Sequence, residues 1–151
     1  MNNNENNGGN NNDRKNESKL FEAILAKAYA EMCVAEYDAQ LEQDGDYRRT
    51  TRIYELLSIT ETQGPALVTT IAAQVVRQHK NDYKVMTDLL MALKYKQRYF
   101  STVAKDDPED VPHNMLAAEY ETVCELVHDE ITNTFAENDE AMNYITNALY
   151  E

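Results

Sequence analysis

From Ser18 onward the apolar residues recur at intervals of three and four, the period of one helix face rather than of a strand. Phe21, Leu25, Ala28, Met32, Ala35 and Ala39 follow one another at spacings of 4, 3, 4, 3 and 4. That is a heptad-like seam on an amphipathic helix running to about Gln43. Three of its six positions are Ala, so a neighbouring helix is expected to pack closely against it, with Ile24 widening the stripe. Past the first seventeen residues the glycines and prolines, Gly45, Gly64-Pro65, Pro108 and Pro112, fall between such runs and punctuate them.

Each punctuation mark predicts a helix end or start. Gly45 offers the left-handed conformation that closes the first helix. Asp46 then caps a second, with Tyr47, Ile53, Tyr54, Leu56, Leu57 and Thr60 as its apolar face. Pro65 suits the first turn of a third, carrying Leu67, Val68, Ile71, Ala72, Val75 and Val76. The β-branched content leaves a strand open for Leu67–Ile71, but no second candidate exists to pair with it. Asn81 or Asp82 caps a fourth helix from about Tyr83 to Ala104, striped by Met86, Leu89, Leu90, Leu93, Phe100 and Val103. A fifth, from about Pro112 or His113, turns Met115, Leu116, Tyr120, Val123, Val127, Ile131 and Phe135 inward. A short last helix, capped by Asn138 or Asp139, carries Met142, Ile145 and Leu149.

The expected fold is therefore all-α, a single-domain bundle of five or six amphipathic helices over residues 18–151. A length of 151 residues suits one core. Residues 1–17 hold nine Asn, Gly8-Gly9 and no apolar residue after Met1, the composition of a disordered Asn-rich tail.

Charge is distributed very unevenly. Residues 106–151 contain thirteen Asp and Glu and no Lys or Arg, whereas residues 1–105 carry fourteen acids against fourteen bases. The net charge of −13 thus belongs wholly to the last third of the chain. Internal neutralisation is one outcome, with the basic fourth helix and the Arg48, Arg49, Arg52 cluster lying beside the acidic helices. Those arginines crowd the start of the second helix, where the helix dipole disfavours cations, and are expected to answer an acid elsewhere. Together with Lys94 and Arg98 they form the candidate basic patch, near Lys96, Tyr95 and Tyr99.

Catalytic chemistry finds little support. No nucleophile, base and orienting residue share a recognisable motif, and phosphate-loop and dinucleotide fingerprints are absent. Cys33 and Cys124 lack metal or redox spacing and read as reduced, packing thiols. Glu125 and His128, one turn apart, have the spacing used in di-metal bundles, but no second Glu-x-x-His exists to complete a site within one chain. No enzyme activity and no cofactor are expected. Direct nucleic-acid binding is disfavoured by the negative charge. No apolar run approaches the ~18 residues of a membrane span, and the N-terminus lacks a signal-peptide core, so a cytoplasmic protein is expected.

The expected function is non-catalytic: a protein-interaction or assembly subunit that binds a basic partner surface through its acidic C-terminal third. Glu119, Glu121, Glu125, Asp129, Glu130 and Glu137 are the candidate contact residues. Two alternatives stay open: an acidic decoy that imitates nucleic-acid phosphates on a DNA- or RNA-binding enzyme, and a carboxylate/His metal site completed in a homo-oligomer.

Overall fold

The computed structural model describes the backbone of residues 3–45 and 49–150, and the side chains from residue 13 onward within those ranges. Six helices follow one another: α1 Asn3–Asp44, α2 Arg49–Glu61, α3 Pro65–His79, α4 Tyr83–Asp106, α5 Val111–Phe135 and α6 Asp139–Tyr150. There is no strand among the described residues, so the Leu67–Ile71 segment is helical. None of these helices is long and apolar enough to cross a membrane.

The α4 helix is the axis of the bundle. Val85, Met86, Thr87, Asp88, Leu89 and Leu90 are buried in succession, which means that the helix is covered on every side over that stretch. Around it pack α2, α3, α5 and α6, while α1 lies on α2 and α3. Asp82 caps its start by accepting from Lys84 N (3.1 Å) and Val85 N (3.3 Å). Farther along, Phe100 stacks on Tyr120 of α5, their ring centroids 5.6 Å apart and their planes 4° from parallel.

The predicted punctuation holds. Gly45, at φ 75°, closes α1 with its N–H on Leu41 O (2.9 Å), and Gly64, at φ 128°, precedes Pro65 at the head of α3. Asp110 receives the His113 N–H at the start of α5, and Asn138 receives that of Ala141 in α6. The expected cap Asp46, with Tyr47 and Arg48, lies outside the described residues.

The burial of α1 corrects one expectation. Phe21, Leu25, Ala28, Met32, Ala35 and Ala39 all face solvent. What packs against α2 and α3 is the opposite side of the helix: Ala30, Val34 and Tyr37, with Cys33 and Leu41 partly covered. Advancing 100° per residue, these residues centre about half a turn from the exposed seam. The helix carries two apolar stripes, and the body uses the one with a Tyr, a Val and a Cys. Of the expected tail, residues 1 and 2 and the side chains of 3–12 lie outside the described residues. The side chains of residues 13–25 are exposed and add nothing to the core. Met115, expected inward, is also exposed, one position out of phase with the buried Leu116.

Candidate functional site

The acidic surface is built on α5. Leu116, Tyr120, Val123, Cys124, Val127, Ile131 and Phe135 form the buried face of this helix, against α4 and α3, so its remaining arc must face outward. The acids on that arc divide into two rows. Glu121, Glu125 and Asp129 recur every four residues and are exposed on one flank. Glu119 and Glu130 occupy the other flank, both half-buried beside α3. Glu119 accepts the hydroxyl of Thr69. Between them in angle projects Leu126, 58 % exposed, over a groove of about 360 Å³ lined also by Ala72, Val76 and Arg77. Glu137 stands clear in the turn that leads to α6.

Internal neutralisation does not occur in the expected way. Arg49 donates to Asp88 of α4 and, through Nη2, to Tyr144 Oη (3.1 Å). Arg52 turns back to Asp44 (2.5 Å) and to Glu55 (3.2 Å). Lys96, expected on a basic surface, is buried: its Nζ lies 2.6 Å from Glu61 Oε1, 2.6 Å from Ser58 Oγ and 4.1 Å from the centroid of the Tyr54 ring. Arg77 donates to its own neighbour Gln74 (2.7 Å) rather than to Glu130. Arg52, Lys96 and Arg77 are each engaged within residues 1–105.

Consequently, among the described residues, the acids after Lys105 make ion pairs only with histidines, His113 with Asp110 (2.6 Å) and His128 with Asp129 (3.9 Å). The candidate basic patch is dispersed as well. Arg49 and Arg52 point to different acids, Lys94 borders α5, Arg98 is exposed, and Arg48 lies outside the described residues.

Lys94, Cys124, Glu125, His128 and Asp129 surround a shallow depression of about 330 Å³. Burial pushes the Cys124 thiol up to about 11, so it is protonated at neutral pH. Among the described residues no group of three His, Cys, Asp or Glu is arranged to hold a metal ion, and Glu125 and His128 stand without a third ligand. Asp88 is a different case, a carboxyl in the core. Burial raises its pKa, against the opposing pull of Arg49 and the Thr50 hydroxyl, which donates at 3.1 Å.

Sequence reasoning missed the buried polar pairs. The one available signal was Asp88 sitting inside the apolar run from Met86 to Leu93, together with arginines at a helix start, which were expected to answer an acid elsewhere. No protein-family model, curated protein or solved structure matches this chain.

Proposed function

We propose that this protein is a non-catalytic interaction or assembly subunit whose outward α5 surface binds a basic region of a protein partner. The observation that carries this reading is the unmatched charge: among the described residues no Lys or Arg ion pair reaches an acid of α5, Lys96 and Arg77 beside it are engaged by Glu61 and Gln74, and Lys94 alone borders the row of Glu125 and Asp129. Carboxylates so grouped repel one another and raise the potential over the surface, which a cationic partner relieves while being steered toward it.

Leu126 favours a protein partner over the decoy reading. An exposed apolar side chain with Glu119 and Glu130 on one side and the row of Glu125 and Asp129 on the other resembles the centre of a small interface with a charged rim. A phosphate mimic gains nothing from it.

The test replaces Glu119, Glu121, Glu125 and Glu130 together by Gln, which nearly keeps size and helical propensity while removing four charges. Partners recovered on the immobilised parent at low salt are expected to be lost on the variant. They are also expected to weaken as salt shortens the screening length to ~8 Å near physiological strength. Equal recovery on both proteins would overturn the proposal. Displacement of the recovered partner by duplex DNA would transfer the assignment to the decoy reading.

A further inference from the structure

We infer that the exposed seam of α1 is the interface with a second copy of this chain, paired antiparallel. Phe21, Ile24, Leu25 and Met32 are each between 52 % and 71 % exposed and lie on the side of the helix turned away from α2 and α3. Scattered singly, exposed apolar residues are ordinary; four of them along one helix stripe are not. The stripe extends sideways into a groove of about 300 Å³ between α1 and α2, bordered by Tyr29, Met32, Leu56 and the exposed Ile59. At roughly 100 Å² for each large side chain, the seam with Ile59 offers on the order of 500 Å² per copy, about 1,000 Å² in all, the size of a weak and reversible interface.

Charge selects the direction of the pair. Residues 13–27 carry Arg14, Lys15, Lys19 and Lys27 against Asp13, Glu17 and Glu22, a net +1. Residues 28–44 carry Glu31, Glu36, Asp38, Glu42 and Asp44 with no Lys or Arg, a net −5. Asp38 and Asp44 are engaged by His79 and Arg52, which leaves Glu31, Glu36 and Glu42 facing solvent. A parallel pair would set these acidic halves side by side, whereas an antiparallel pair sets each against the nearly neutral half of the other copy.

Side-chain size points the same way. The bulky residues Phe21 and Leu25 lie in one half of the seam, and Ala35 and Ala39 in the other. Antiparallel register brings Phe21 against the second copy's position 39, Leu25 against 35 and Ala28 against 32. Every layer then joins one large side chain to one Ala, the close approach that a small residue permits. The resulting contact is isologous and closes as a two-fold dimer. It uses no residue of the α5 surface, so it stands or falls independently of the proposed function.

Sedimentation equilibrium on the full chain is expected to show a dimer that dissociates on dilution. Phe21→Glu with Leu25→Glu, both at exposed positions, should weaken it roughly tenfold or more while far-UV circular dichroism keeps its helical signal. Ala35→Glu, on the other half, should do the same. Direction is read by oxidising a mixture of Phe21→Cys and Ala39→Cys, each in a Cys33→Ser background: the mixed disulfide forms and neither variant cross-links to itself. A parent monomeric at about 100 µM, a dimer indifferent to these glutamates, or self-cross-linking of Phe21→Cys would each overturn the inference.

Discussion

Replacing Lys96 by Met removes the cation from a closed polar group at the junction of α2, α4 and α5. The Lys96 ammonium lies 2.6 Å from Glu61 Oε1, and Tyr120 Oη donates to the same oxygen, also at 2.6 Å. The side chains of Lys96 and Glu61 are 5 % and 16 % exposed. Met fills the space left by the stem, so the loss is electrostatic: a nearly buried carboxylate keeps one hydroxyl and loses its counter-charge. Breaking such a pair from one side costs about 3–5 kcal/mol, and the residual exposure of Glu61 places the expectation near the lower end. At about 2–4 °C per kcal/mol for a chain of this size, the midpoint should fall by roughly 6–12 °C.

Adding Glu61→Gln to Lys96→Met should restore most of that loss. The amide oxygen still accepts from Tyr120, and no charge is left to desolvate. The double variant is expected within about 1 kcal/mol of the parent, well below the sum of the two single losses. Urea unfolding followed at the helical dichroism band, with linear extrapolation, measures all four corners of the cycle. A loss below about 1 kcal/mol for Lys96→Met, or a double variant whose loss equals the sum of the singles, would refute the reasoning.

Three further outcomes follow from the same geometry. Leu93, fully buried on the central helix, should lose about 2–5 kcal/mol as Leu93→Ala in the same unfolding assay. Asp82→Ala should lose about 1 kcal/mol, because two amides at the head of α4 lose their acceptor; an unchanged midpoint would count against the cap. In alkylation followed by mass spectrometry at pH 8, Cys33, half-buried, should react well before Cys124, whose thiol burial pushes up to about 11. The native thiol holds its proton more tightly than the unfolded one, so the stability linked to Cys124 is complete below about pH 8.5. It is lost as pH rises toward 11, which a stability series across that window would show.

The helices themselves were legible because their signals are local. Gly45, Gly64-Pro65, Asp82 and Asn138 act on backbone groups within a few residues of themselves, and each stands where a helix begins or ends. The inward rows of α3 and α5 were readable for the same reason, since each of these helices has one dominant apolar stripe and the core has to take it, whereas α4 is buried beyond its stripe, at Thr87, Asp88 and Lys96. Helix α1 has two. Phe21, Leu25 and Met32 repeat as faithfully as Ala30, Val34 and Tyr37, and periodicity carries no information about which side α2 and α3 approach. Only their packing decides that.

The electrostatics divide along the same line. The excess of thirteen acids after Lys105 is a property of the sequence and survives any fold. Whether those acids meet the bases of the first 105 residues depends on distances between helices far apart in the chain. Folding brings Arg49 to Asp88 and Lys96 to Glu61, partners 39 and 35 positions away. Those buried groups must be paired because an isolated charge is too costly away from water, whereas the α5 carboxylates remain solvated and need no partner for the chain to fold. The sequence sets how much charge there is, and the tertiary structure decides which of it is left facing out.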